Sequence, residues 1–255
     1  MKATIIQTDL KWEDKDANIA HLSSLLDNIT GSTDLVVLPE MFTTAFSMNP
    51  GTLAETMEGP SVKWMTERSS TGNYALCGSL IIEEDGKYFN RLIFVTPTGI
   101  ITKYDKRHLH SISGEHTVYT AGDKQVICKY KKLNFNLQVC YDLRFPVWSR
   151  NKGNSDVIIY SANWPGVRGY AWRSLLVARA IENQCFVLGT NRIGTSPDGT
   201  SYSGDSVIIG PKGELLGSLS PDAEGIITAE LLKESLDKYR SDMPVWRDSD
   251  PFTLG

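Results

Sequence analysis

Three residues able to do chemistry close apolar runs in three parts of the chain: Glu40, Lys106 and Cys140. In residues 133–139, Leu133, Phe135, Leu137 and Val139 alternate with polar residues. This period of two marks a strand with one buried face, and Cys140 stands where it stops. Pro146 and residues 147–150 read as the start of a short helix, which puts the thiol on a tight strand-to-helix turn. A side chain there projects at the carboxyl end of a sheet strand, where α/β folds place ligands. The run by itself also fits a core cysteine, since free Cys is among the most buried residue types.

A thiol is the best intrinsic nucleophile among side chains, but with a free pKa of about 8.5 it needs a base or a cation beside it at neutral pH. A carboxylate such as Glu40 can take its proton. A lysine such as Lys106 can steady the thiolate and the oxyanion formed when sulfur attacks a carbonyl carbon. Taken singly, Glu40 and Lys106 also fit structural or surface charges.

The elements that must position these groups alternate in type. Residues 3–8 read as a strand and 14–29 as a helix whose apolar stripe is Ile19, Leu22, Leu25, Leu26 and Ile29. Residues 34–40 form a short strand of the kind buried on both faces, ended by Pro39. A helix at 61–69, strands at 74–82 and 91–95 and a strand from Ile100 to Tyr104 follow. Residues 107–122, which contain Glu115, read as a long irregular excursion, and loops of that length are usually functional or disordered. After the cysteine strand come a strand at 157–161, a helix at 170–183, strands at 185–190, 206–209, 214–216 and 225–228, and a helix at 231–239. Residues 240–255 form a tail. The turns Thr96-Pro97-Thr98-Gly99 and Gly210-Pro211-Lys212-Gly213 share an x-Pro-x-Gly pattern between apolar strands. The repetition predicts an α/β fold in which two mixed sheets pack face to face with helices outside.

At 255 residues, with no shift in composition, the chain reads as one domain. A net charge of −4 without blocks of like charge gives no reason to expect nucleic acid or an anionic membrane as partner. No apolar stretch suffices to span a bilayer or serve as a signal peptide, so the expected setting is cytoplasmic. The four cysteines are widely spaced, with no Cys-x-x-Cys, and read as free thiols. His108 and His110 alternate as two metal ligands would, but no third ligand accompanies them at a telling spacing.

The segments Leu38-Pro39-Glu40-Met41-Phe42, Tyr104-Asp105-Lys106-Arg107-His108-Leu109 and Cys140-Tyr141-Asp142-Leu143-Arg144-Phe145-Pro146 together resemble, in order, the three signatures of the nitrilase superfamily of carbon-nitrogen hydrolases. The likeness runs from Gln7 to Pro244. Residues 161–165, 178–184 and 202–206 are similar to those of its omega-amidase branch, whose members hydrolyse the terminal amide of 2-oxoglutaramate or 2-oxosuccinamate to the oxo diacid and ammonia. The resemblance implies an αββα sandwich, a homodimer, and chemistry with no metal and no organic cofactor. It also implies Cys140 as nucleophile and Glu40 as the base that later returns a proton to ammonia. Lys106 and the backbone N–H near Tyr141 would hold the oxyanion, and Glu115 would support the lysine or position substrate.

Tyr141, Trp164, Arg168 and Phe42 are the candidate substrate-binding residues. Arg168 is the expected partner of a substrate carboxylate, with Arg144 and Arg173 in reserve, although Arg144 also fits a pair with Asp142. Phe42 and Phe46 fit pocket walls, although core packing is the more ordinary reading of both. Two positions depart from the superfamily pattern: Asn136 stands where glycine is usual and His110 where Phe is common. An amidase of deaminated glutathione or of N-carbamoyl amino acids, or a dimeric module without turnover, are the competing readings.

Overall fold

The computed structural model describes residues 1–253. Strands β1 (Lys2–Gln7), β2 (Leu35–Val37), β3 (Ala75–Glu84), β4 (Lys87–Val95) and β5 (Ile101–Asp105) belong to a first sheet, whose far edge is β14 (Gly225–Glu230). A second sheet holds β6 (Ile127–Tyr130), β7 (Leu133–Val139), β8 (Val157–Ala162), β9 (Phe186–Asn191), β12 (Val207–Ile209) and β13 (Leu215–Ser218). Between β9 and β12 lies a small hairpin, β10 (Ile193–Thr195) with β11 (Ser201–Ser203). The main helices are α1 (Lys15–Asp27), α2 (Pro50–Leu53), α3 (Pro60–Gly72), α4 (Glu115–Val118), α5 (Pro146–Ser149), α6 (Gly169–Asn183) and α7 (Lys233–Asp242). Among the described residues no helix is long and apolar enough to cross a membrane.

The two sheets repeat one plan. In the first, β1, β2 and β3 are parallel neighbours, β4 and β5 follow antiparallel, and β14 flanks β1 antiparallel. In the second, β7, β8 and β9 are parallel neighbours, β12 and β13 follow antiparallel, and β6 flanks β7 antiparallel. The turns joining the antiparallel pairs match bond for bond. Thr96 N–H donates to Ile100 O and Gly99 N–H to Thr96 O, as Gly210 N–H does to Glu214 O and Gly213 N–H to Gly210 O. Both glycines have φ above +80°, which a side chain would strain.

Side-chain alternation sorts the strands into layers. On β2, Leu35 and Val37 enter the core between the sheets, while Val36 faces Leu22 and Leu26 of α1 and Val62 and Met65 of α3. On β4, Leu92 and Phe94 go inward, where the Phe94 ring lies 5.5 Å from that of Phe135, and Ile93 and Val95 go to the helices. On the second sheet, Trp172 and Leu176 of α6 pack on Gly189 of β9 from the outer side. The expected sandwich of two mixed sheets between helices is thus what forms.

Four details differ from expectation. Strand β7 is buried on both faces, and α6 packs on β9 and β12 of the same sheet and on the turn that follows β7. Asn136 and Gln138 meet this burial by bonding to each other, Gln138 Nε2 to Asn136 Oδ1 at 2.7 Å. The excursion at 107–122 is fixed by a 3₁₀ turn at Ser111–Ser113 and by α4, and Tyr119 Oη reaches Ser47 O at 2.7 Å. The β10–β11 hairpin was not expected. The C-terminal helix runs on to Asp242, and a 3₁₀ turn follows at Val245–Asp248.

Candidate active site

Cys140 opens a 3₁₀ turn, Cys140–Arg144, with a left-handed φ of 42°. A side chain in that region costs on the order of 1–3 kcal/mol unless its surroundings hold it. Asp142 does so. Its Oδ2 accepts Val139 N–H at 2.9 Å and Tyr104 Oη–H at 2.8 Å, and its Oδ1 accepts His108 N–H at 2.9 Å and meets His108 Nδ1 at 2.8 Å. The buried carboxylate therefore ties the cysteine turn to the end of β5, the strand that delivers Lys106.

Glu40 lies just past β2 and Asn163 just past β8, at the ends of equivalent strands in the two halves. They meet directly: Asn163 N–H donates to Glu40 Oε2 at 2.8 Å, and Asn163 Nδ2 donates to Glu40 O at 2.5 Å. The Cys140 Sγ–H points at Asn163 O, 3.8 Å away. Lys106 Nζ is 2.9 Å from Glu40 Oε1 and 3.0 and 2.9 Å from the two oxygens of Glu115. Glu115 Oε2 also accepts His110 N–H at 2.6 Å. Asn90, from the middle of β4, donates Nδ2 to Glu40 Oε1 at 2.7 Å and to Glu115 Oε1 at 3.1 Å.

Burial and charge set the resting state. Burial alone would push the Lys106 ammonium down, but Glu115 and Glu40 override it, so the group stays charged with its pKa raised. Burial raises the Cys140 thiol well above its ordinary value, and the charge on Glu40 adds to this, so Cys140 rests as a thiol. Burial also raises Glu115, against the pull of Lys106. Cys128 and Cys185 are likewise pushed up to about 12 by burial. What separates Cys140 from them is its neighbours. Glu40 and the thiol share Asn163 as a partner, and the Lys106 ammonium bonds to both Glu40 and Glu115, so a carboxylate and an ammonium lie beside this cysteine.

Above this cluster opens a cavity of about 760 Å³ lined by Lys106, Cys140, Tyr141, Asn163, Trp164 and Arg168, among others. The structure therefore gathers Cys140, Glu40, Lys106 and Glu115, with Tyr141, Trp164 and Arg168 on the cavity wall. Phe42 is a correction. It is fully buried on the helix side of the first sheet, 5.7 Å from the Trp64 ring and packed over Gly78, where a Cβ would come within 2.8 Å of it. Phe46 lines the cavity instead, with Lys106 Nζ 5.2 Å from its ring centre.

Arg173 is held by Asp205 at 2.6 Å, and Arg144 does not pair with Asp142 but stacks on the Trp164 ring at 4.8 Å. Among the described residues neither Arg144 nor Arg168 makes an ion pair, and both line the cavity. His108 and His110 do not converge: His108 stacks on Phe145 and His110 bonds Ser113.

Sequence reasoning missed Asn90, the anchor Asp142 and the β10–β11 wall formed by residues 196–202. Signals existed for two of them. Asn is disfavoured inside a strand, so Asn90 beside an apolar run was conspicuous. Ser196-Pro197-Asp198-Gly199 is a third x-Pro-x-Gly turn with the same bonds, Ser196 N–H to Thr200 O and Gly199 N–H to Ser196 O.

A thiol on a strand-to-helix turn, between two mixed sheets and beside a buried carboxylate–lysine–carboxylate group, defines a cysteine hydrolase. The chain belongs to the carbon-nitrogen hydrolase family, whose model matches residues 2–241. It is 41% identical over 254 residues to the omega-amidase YafV of Escherichia coli strain K12, covering 100% of this chain and 98% of that one. It is 33% identical over 256 residues to the 2-oxoglutaramate amidase of Bacillus subtilis strain 168, covering 97% and 98%. The crystal structure of XC1258 from Xanthomonas campestris, a CN-hydrolase superfamily protein with an arsenic adduct in its active site, superposes with a TM-score of 0.96 at 38% identity, covering 100% of this chain and 99% of that one.

Proposed function

We propose that this enzyme is an omega-amidase that hydrolyses the terminal amide of 2-oxoglutaramate or 2-oxosuccinamate. Glu40 takes the Cys140 proton as sulfur bonds to the amide carbon, and the oxyanion rests on Lys106 and the Tyr141 N–H. The C–N bond then breaks, the proton on Glu40 leaves with the nitrogen as ammonia, and an acyl thioester remains on Cys140. Water gives its proton to Glu40 and attacks the thioester, which releases the oxo diacid and the thiol. Glu115 keeps Lys106 in place.

The observation that carries the substrate reading is the pair Arg144 and Arg168, two cations without an ion pair among the described residues, in the cavity that ends at Cys140. A short amide with a carboxylate at its far end supplies the missing anion. The names of the relatives point the same way. The reading includes a homodimer in the cytoplasm, and four unpaired buried thiols accord with a reducing compartment.

The test is kcat/KM across a panel of 2-oxoglutaramate, 2-oxosuccinamate and uncharged amides of equal length. The oxo-amides should lead, and Arg168→Ala should raise KM for them and narrow the gap to neutral amides, on the order of the 2–5 kcal/mol lost with one partner of a charge pair. Equal kcat/KM for charged and uncharged amides would leave a cysteine amidase of another substrate class.

A further inference from the structure

We propose that Asn90 is a positioning residue of the catalytic base: its side-chain amide holds the Glu40–Glu115 carboxylate pair ionised and leaves Glu40 Oε2 as the oxygen that receives the Cys140 proton. This rests on the assignment of Glu40 as base and is indifferent to which amide is hydrolysed. Asn90 is fully buried, and it does not line the cavity.

The orientation of the Asn90 amide is fixed by its partners. Both are carboxylate oxygens, which only accept, so Nδ2 faces them and Oδ1 points away. Asn90 Oδ1 has no hydrogen-bond partner among the described residues. The two bonds to Glu40 and Glu115 are thus all that the amide receives for its burial, and burying a polar group is costly unless it is bonded. Asn90 also acts through its backbone, since its carbonyl accepts Lys106 N–H at 3.0 Å. One residue therefore touches all three members of the charged cluster.

Its role follows from charge. Two carboxylates share one ammonium, so the buried cluster is net negative, and such pairs tend to relieve themselves by binding a proton. A proton on Glu40 would disable it as a base. Asn90 opposes this by placing its two N–H groups on Glu40 Oε1 and Glu115 Oε1, since hydrogen bonds to the ionised form favour it. It also fills the lone pairs of Glu40 Oε1 together with Lys106. Glu40 Oε2 takes one N–H, from Asn163, and so keeps a lone pair for the thiol proton. The other titratable groups facing the pair are Lys106, Cys140, Tyr119 and His110.

The experiment compares the native enzyme with Asn90→Ala, Asn90→Ser and Glu40→Gln. Two pH profiles are recorded: the rate of Cys140 alkylation by iodoacetamide, followed by peptide mass spectrometry, and kcat/KM for an amide substrate. Asn90→Ala should move the acid limb of both profiles up by about one unit, a loss of about tenfold on that limb that closes as pH rises. KM should stay within about threefold, because Asn90 does not touch substrate. Asn90→Ser, which keeps one short donor, should shift less, and it carries the test if circular dichroism shows Asn90→Ala unfolded. A loss that is the same at every pH, or a change confined to KM, overturns the proposal. Glu40→Gln should abolish the acid limb altogether. A limb that survives in Glu40→Gln refutes Glu40 as base, whereas a limb lost there and unmoved in the Asn90 variants refutes only the role of Asn90.

Discussion

Lys106 is the residue on which the site's electrostatics turn, because it is 1% exposed between two carboxylates that pair with no other cation among the described residues. Removing one partner of a buried ion pair typically costs about 3–5 kcal/mol, since the other is left buried and uncompensated. Lys106→Met should therefore lose turnover and stability together. The pH dependence of that loss has a definite sign. Burial already raises Glu115, and Lys106 is the main group holding it down, so without Lys106 the folded-state pKa rises further. A carboxylate whose folded pKa lies above its unfolded value of about 4.3 contributes stability that is full at acid pH and is lost as pH rises through the folded pKa. The Tm deficit of Lys106→Met should thus be largest near neutrality and shrink toward about pH 5, as scanning calorimetry can show. A deficit of the same size at both pH values would mean that lost packing, not unpaired charge, is the cause. Of the candidate residues that the structure brings together, Cys140, Glu40 and Lys106 were legible at strand ends, whereas Glu115 came only from the resemblance to the family. Phe42 was misplaced because only the tertiary partner Trp64 decides which side of the sheet it joins.

At the scale of elements, the cysteine turn depends on Asp142 more than on its own backbone preference. Four contacts converge on that carboxylate, two of them backbone N–H groups, Val139 and His108, that would be left unpaired by its removal. A buried donor left unsatisfied costs about 1–3 kcal/mol, and the left-handed φ of Cys140 would lose its restraint. Asp142→Ala should accordingly lower Tm and cut kcat, while the more conservative Asp142→Asn, which keeps one acceptor oxygen, should retain part of both. Native stability in Asp142→Ala, by urea unfolding, would show that the turn is held elsewhere. The strand, turn and helix around Cys140 could be read from alternation and Pro146. The β10–β11 wall of the cavity could not, although its x-Pro-x-Gly turn repeats two others. Its strands are only three residues long, Ile-Gly-Thr and Ser-Tyr-Ser, too short and polar to show an apolar run.

At the scale of the whole molecule, the site sits where two like halves meet at the ends of equivalent strands. The repeat was visible in two matching turns, but not the seam, because its partners lie 123 residues apart and nothing local records their register. Across the seam, Ser161 Oγ donates to Leu38 O at 2.7 Å, and Asn163 grips Glu40 through its backbone N–H and its side chain. Glu40, the proposed base, is therefore held in one half by Asn163 of the other. Ser161 is fully buried, so Ser161→Ala leaves the Leu38 carbonyl without that donor in a dry place, a loss of about 1–3 kcal/mol. For a chain of this size each kcal/mol is worth about 2–4 °C, so calorimetry should find Tm lower by a few degrees. Leu38 is two residues before Glu40, so the same change should loosen Glu40, the proposed base, relative to Cys140. Turnover should then fall while KM holds, because the arginines proposed to bind the substrate carboxylate belong to other segments. If Tm fell but kcat did not, the seam would hold the halves together without positioning Glu40, and Asn163 alone would set the place of the base.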